Sequence, residues 1–435
     1  VLLAWLVPSA LALDIPHEHY ELDNGLDVLL VQDHRLPQVV VDLWYGVGSY
    51  DDPPGESGFA HLFEHLMFMG TELVGEGEFD GRMEAGGGWN NASTADDRTN
   101  YFDVGPAELL DVLMFMEADR MTGLDITQDK LDLQREVVRN ERRQNYEDAP
   151  YGKVWLEIPA MLYPETHPYH LSGIGSHEDL LAASLDTVTS FYADWYAPNN
   201  ATLIIGGDFD PDAVKANVDR WFAPLEPAEL REHVVPPEVV APVTVEKTIT
   251  DQVELPLLVM AWHSPAFFTP GDAELDILAS VLAGGADARL EARLVNEERV
   301  VQELEVFQYS NRHGSSFYLM AFASPDADLD AVAAAIDEEL AALASGAAPV
   351  TERELAQAVN GWEMNLVYGL EGLLDRVETL QNYLFYTGTA DYLDEDLARY
   401  QGVTAESIQA VVAERLKPEL AARLTVLPEA TEETE

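Results

Sequence analysis

No cysteine occurs anywhere in the 435 residues. Disulfides, thiolate metal sites and cysteine nucleophiles are therefore excluded, and a bound metal must be held by histidine and carboxylate. Basic side chains are scarce: 24 Lys and Arg stand against 79 Asp and Glu, for a formal net charge of -55. So acidic a surface repels phosphate backbones and anionic bilayers, which argues against nucleic acid as a partner. Salt relieves such self-repulsion, so a saline habitat is one explanation of the composition and drift toward Arg, Asp and Glu is another. Beyond residue 13 no segment stays apolar over about 20 residues, so no stable membrane span is expected. The run 1–13 (VLLAWLVPSALAL) ends in Ala-Leu-Ala and reads as a signal-peptide remnant, which implies an exported protein, periplasmic or secreted.

Apolar residues at 47% and aromatics at 9% suffice for packed cores, and the length suits two domains of about 200 residues each. Prolines 236, 237, 242 and 256 mark a linker, and each flank of it opens alike. A β-rich start (27–31 and 39–45; 243–249 and 257–262) precedes a Gly/Pro loop and a helical run. The expected division is a first αβ domain over 14–230, a linker and first strand over 231–255, a similar second domain over 256–427, and an acidic disordered tail over 428–435. Amphipathic helices are expected over 127–146 and 351–368, and a strand over 201–206. The fold class is α+β: two similar domains, each a mostly antiparallel sheet with helices on one face, together forming half of a clamshell.

Chemistry concentrates in Gly58 to Gly70, with Ser57 as the expected N-cap and Gly70 as the stop. His61 and His65 stand four apart on one helical face and can grip one zinc ion. Glu64, beside the second histidine, can take a proton from a water on that ion. The order His-x-x-Glu-His is the inverted form of the zinc-peptidase helix motif. Chance supplies it in roughly three chains of this composition in a hundred, so a third ligand is required to make the case. Glu141, in the helix after Gln134, is phased with Val137 and Val138 toward the interior; Glu136 lies about 140° away round the helix and, with Glu147, is held in reserve.

These motifs resemble those of the insulinase, pitrilysin and mitochondrial processing peptidase family, where His-x-x-Glu-His is followed seventy to eighty residues later by a glutamate ligand. Further matching stretches run in order: Gly86 to Thr94 continuing to Arg98 to Phe102, then His167-Pro-Tyr with Ile174-Gly-Ser, then Phe191 to Ala201 with Gly206-Gly-Asp. The resemblance covers the first half nearly end to end and the second more weakly. It implies a zinc endopeptidase with one Zn2+ per chain, which binds peptides as an added β-strand near Asn91 and Ala92 inside a closed chamber. The alternative is a non-catalytic peptide-binding or scaffold subunit of the same family.

Two departures bear on assembly. Relatives carry an Arg and a Tyr seven residues apart in the metal-free half, where this chain has Val295 and Gln302. Arg289, Arg293 and Arg299 are nearby substitutes of lower rank. Gln134 stands where many relatives have a glutamate behind the ligands, and an amide can still hydrogen-bond a ligand. The missing pair implies a dimer, preferably a heterodimer with a similar two-domain chain that supplies the Arg and Tyr, with a homodimer as second choice.

Overall fold

In the computed structural model, which describes residues 14–429, eleven strands form two sheets. The first holds β1 (Glu18–Glu21), β2 (Asp27–Gln32), β3 (Gln38–Tyr45), β4 (Trp89–Thr94), β5 (Thr99–Pro106) and β6 (Ala201–Gly207). The second holds β7 (Glu246–Asp251), β8 (Leu257–Ser264), β9 (Val301–Tyr309), β10 (Ser315–Ala323) and β11 (Ala422–Pro428). Apart from the additional β1, the two orders coincide: β2-β6-β3-β5-β4 and β7-β11-β8-β10-β9. Five α-helices separate β5 from β6, and five separate β10 from β11. One pair in each sheet is parallel, β2 with β6 and β7 with β11, and the others are antiparallel. The α+β class and the repeated plan expected from the sequence are therefore found.

The central strands read as continuous apolar runs, such as Val39-Val-Val in β3 and Leu257-Leu-Val-Met-Ala-Trp in β8, and such runs are stable only when both sheet faces are covered. On the first sheet, Val39, Val41 and Leu43 pack against helices Phe59–Leu66 and Leu110–Thr122 of the same half. Leu29, Val31 and Val40 face the other way, onto Leu373, Val377 and Leu380 of helix Leu373–Thr387, which belongs to the second half. The second sheet mirrors this. Its inner face packs on helices of its own half, while Leu257, Val259 and Leu424 meet Val154, Ile158 and Leu162 of helix Val154–Leu162 from the first half. Each half thus keeps its own helices on one face and borrows a helix on the other. That exchange refines the expected arrangement, and its cause is hydrophobic: an uncovered second face would leave a row of Val and Leu in water.

The stretch before β7 is irregular, as the prolines require. Pro428 closes β11, so the last strand reaches one residue into the expected tail. The remainder of that tail, 430–435, and the run 1–13, expected to be a signal-peptide remnant, lie outside the described residues. Among the described residues no helix is long and apolar enough to cross a membrane.

Where the borrowed helix Val154–Leu162 meets β8, two histidines are buried. His167 is 5% exposed and its Nδ1 accepts the Tyr169 amide at 3.1 Å; His263 lies 3.0 Å from the Leu162 carbonyl. Burial, together with mutual repulsion, pushes the His167 pKa from 6.5 down to about 4. A folded pKa below the unfolded one means that the unfolded chain binds the proton more tightly. The contribution of His167 is whole above pH 6.5 and drains away as pH falls toward 4. His167→Asn retains an acceptor for the Tyr169 amide but does not titrate. Between about pH 7.5 and about pH 5 the wild type should lose about 2–4 °C more in Tm than the variant, read by calorimetry.

Candidate metal centre

The His-x-x-Glu-His helix spans Phe59–Leu66 and buries Phe59, Ala60, Leu62, Phe63 and Leu66, which leaves His61, Glu64 and His65 on its open side. Its N-terminus departs from expectation: Gly58, at φ +85°, precedes the first turn, and the cap comes from Asp52. The Gly58 and Ala60 amides donate to the two Asp52 carboxylate oxygens at 2.7 and 2.8 Å. Ser57 serves another purpose, donating to Asp179 at 2.5 Å and accepting the Ser176 amide at 2.9 Å. Gly58 and Gly175 touch backbone to backbone; a Cβ on Gly58 would lie 2.8 Å from the Gly175 Cα. The Ile174-Gly-Ser stretch therefore seats the motif helix, because only glycine permits that approach at positive φ. Gly70, also at positive φ, follows the helix end by a short turn, as expected.

The helix that carries Glu141, Gln128–Arg142, is capped by the Thr127 hydroxyl, which accepts the Lys130 amide. Leu131, Gln134 and Val138 form its buried stripe, and Glu141 continues that stripe by three residues. Val137, expected to point inward, is 38% exposed, so Val138 alone carries the phase. Glu136 pairs with Arg139, and Glu147 is bound by Arg142 and His177 at 2.9 and 3.1 Å, so neither reserve glutamate reaches the histidines.

His61, His65 and Glu141 each offer one donor atom, all within 4.8 Å of one another; among the described residues no other His, Cys, Asp and Glu group does so. Glu141 Oε2 lies 3.8 Å from His61 Nε2 and 3.4 Å from His65 Nε2. A tetrahedron with bonds of about 2.0–2.1 Å has edges of about 3.3–3.4 Å, so two imidazoles and a carboxylate at this spacing fit zinc with one position left open. Burial pushes the His61 pKa down to about 4, keeping that imidazole a neutral donor, while the His65 hydrogen bond holds Glu141 below the usual carboxylate range. Gln134 stands behind the ligands: its Oε1 is 3.3 Å from His65 Nδ1 and its Nε2 points to Met69 Sδ at 3.0 Å. With the amide nitrogen so engaged, the oxygen faces His65 and fixes a proton on Nδ1, so that Nε2, which faces Glu141, is the nitrogen that would bind a metal once deprotonated. His61 Nδ1 has no such partner among the described residues.

Glu64 accepts a hydrogen bond from the Thr94 hydroxyl at 2.6 Å, and burial raises its pKa, as suits a proton acceptor. Thr94 carries no signal in the sequence beyond its place in the Asn-Ala-Ser-Thr run. His61, Glu64 and Glu141 open into a cavity of about 640 Å³ whose walls include Ala92, Thr94, Trp155, Tyr309 and Tyr318. Tyr309 and Tyr318 come from β9 and β10 of the second sheet, so both halves build it. Asn91 and Ala92 lie on β4, the free edge of the first sheet, with Ala92 toward the cavity and Asn91, by strand alternation, on the opposite face. Arg289 and Arg293 are engaged elsewhere. Arg289 is clamped by Glu354 and Glu339 at 2.7 and 2.9 Å, Arg293 by Glu298 and Glu338 at 2.9 Å each, and neither lines the cavity.

The description "Insulinase (Peptidase family M16)" matches residues 27–166, and "Peptidase M16 inactive domain" matches residues 182–361. The chain belongs to the M16 insulinase family. Within this family it is similar to zinc protease PqqE of Helicobacter pylori, at 29% identity over 86% of each chain. It is also similar to a Bacillus subtilis protein called uncharacterized zinc protease YmxG, at 24% identity over 91% of this chain and 94% of that one. Among solved structures, a protease from H. pylori superposes with a TM-score of 0.86 at 26% identity, over 95% of this chain and all of that one. The periplasmic protease PqqL of Escherichia coli shares the fold, with a TM-score of 0.79 at 20% identity over 96% of this chain but 48% of its own. The match of the second half to the inactive-domain description agrees with its residues. Aligned at the left-handed glycines 58 and 271 that open the corresponding helices, His61, Glu64 and His65 fall opposite Glu274, Ile277 and Leu278.

Because Gln134 is the hydrogen-bond partner of His65 Nδ1, its removal should be felt in metal affinity. Gln134→Leu should weaken zinc binding by about 10–100-fold in chelator competition, whereas Gln134→Glu, which keeps an acceptor, should stay near wild type.

Proposed function

We propose that this M16 chain is a zinc-dependent endopeptidase acting on peptides or unfolded polypeptides. The observation that carries the reading is the convergence of His61, His65 and Glu141 on one point beside the buried carboxylate of Glu64. One Zn2+ per chain, held by those three residues, would polarise the peptide carbonyl and acidify the attacking water. Glu64 takes the proton from that water and passes it to the leaving amine. The free edge of β4 pairs with an extended substrate through the backbone at Asn91 and Ala92, which gives affinity with little demand on sequence. Gln134 keeps His65 in the tautomer that donates through Nε2. Arg289 and Arg293 have no part in this account, since four carboxylates already neutralise them.

A second unit of the same plan completes a chamber around the substrate, and a heterodimer partner that brings an Arg and a Tyr is preferred to a second copy. Support comes from the longer relatives: the first half of PqqL, taken alone, matches over 92% of its length. Export to the periplasm or beyond is supported by the apolar run 1–13 and by the periplasmic description of PqqL.

Glu64→Gln should retain a full complement of zinc and lose about 10²- to 10⁴-fold in cleavage of a quenched peptide, while wild-type cleavage should be abolished by a chelator and restored by zinc. Wild-type cleavage indifferent to the chelator, or a Glu64→Gln variant as active as wild type, would overturn the reading.

A further inference from the structure

A carboxylate that accepts a proton must present a lone pair within about 2.6–3.2 Å of the group it serves, and glutamate has three rotatable bonds with which to miss. Among the described residues one hydrogen bond reaches the Glu64 carboxylate, from Thr94 Oγ1 to Oε2 at 2.6 Å. The donor is stiff for two reasons. Threonine is β-branched, which restricts χ1. Its backbone is also pinned by pairing with Thr99 on β5, whose own hydroxyl donates to the Val47 carbonyl at 2.9 Å. A stiff donor on one carboxylate oxygen leaves the other, Oε1, aimed by default.

The position of Thr94 adds a second constraint. It ends β4, two residues beyond Ala92, and by alternation both face the cavity. The residue between them is tied down separately: Ser93, which also borders the cavity, donates to Asn100 at 2.7 Å, and Asn100 donates to Glu378 of the borrowed helix Leu373–Thr387 at 3.1 Å. A peptide paired to the edge of β4 and the base that acts on it are thus both registered by the same six-residue strand.

We propose that Thr94 is the positioning residue of the general base, fixing Oε2 of Glu64 so that Oε1 faces the scissile bond of a peptide paired to β4. This rests on the peptidase reading for its catalytic consequence, and on geometry alone for its structural one. A mere tie between strand and helix would matter for stability and leave the aim of Glu64 unchanged.

The test compares Thr94→Val, which is isosteric and keeps the β-branch, with Thr94→Ser, which keeps the hydroxyl. Crystal structures of both metal-free variants provide the readout that does not depend on turnover. In Thr94→Val the Glu64 carboxylate should leave its wild-type place or split between rotamers, and in Thr94→Ser it should stay. In the zinc-loaded full chain, Thr94→Val should lose about 10-fold in kcat with KM within about 2-fold and zinc content unchanged, and Thr94→Ser should recover most of the loss. An unmoved Glu64 in Thr94→Val, or a kcat equal to wild type, overturns the proposal. Should Thr94→Val fail to fold, Thr94→Ala is measured in the same way. If the wild type lacks chelator-sensitive cleavage, the peptidase reading falls, and the crystal structures still decide whether Thr94 holds Glu64.

Discussion

The proposed chemistry depends on two helices, Phe59–Leu66 and Gln128–Arg142, meeting so that one carboxylate oxygen lies 3.4 and 3.8 Å from two imidazole nitrogens. Such an approach is unfavourable unless the surroundings enforce it, because donors desolvated together gain little until an ion joins them. The enforcement is visible at both ends. Asp52 anchors the first turn of the motif helix, and the Gly58 and Gly175 backbones meet without side chains between them. On the second helix, Leu131, Gln134 and Val138 fasten the stripe that ends in Glu141. His61, His65 and Glu141 are held in place by packing, and Glu64 is hydrogen-bonded to a strand.

The two halves are less independent than a duplicated sequence implies. Each sheet is finished by a helix from the other half, and the cavity beside the histidines takes Tyr309 and Tyr318 from the metal-free side. The second half lacks the triad's counterparts, with Ile277 and Leu278 where Glu64 and His65 stand in the first, yet it closes the first sheet and walls the cavity. That division of labour gives a physical reason for a domain without chemistry to persist beside one that has it. The same borrowing connects β4 to Glu378, so the free edge of the first sheet and the inter-half contact share one hydrogen-bonded chain.

Much of the site was legible in the residues themselves. His61, Glu64 and His65 follow from helical spacing, and Glu141 from the phase of Val138, whereas Val137 turns to the exposed side. Thr127 and Thr351 announce their helices as caps, and continuous apolar runs announce strands buried on both faces. What escaped depends on distant pairing. Nothing local in Val154–Leu162 or Leu373–Thr387 says that each covers the other half's sheet. Asp52 outcompetes the better-placed Ser57 because Asp179, more than a hundred residues away, engages the serine. Arg289 and Arg293 look free in sequence because the carboxylates that clamp them lie mostly some fifty residues further on.

The central claim is that one divalent ion joins His61, His65 and Glu141. Anomalous diffraction at the zinc edge from crystals of the zinc-loaded chain tests it most directly. A single peak is expected about 2.0–2.1 Å from both Nε2 atoms and from a Glu141 oxygen, with the side facing Glu64 open. A peak elsewhere, or none at this triad, would contradict it.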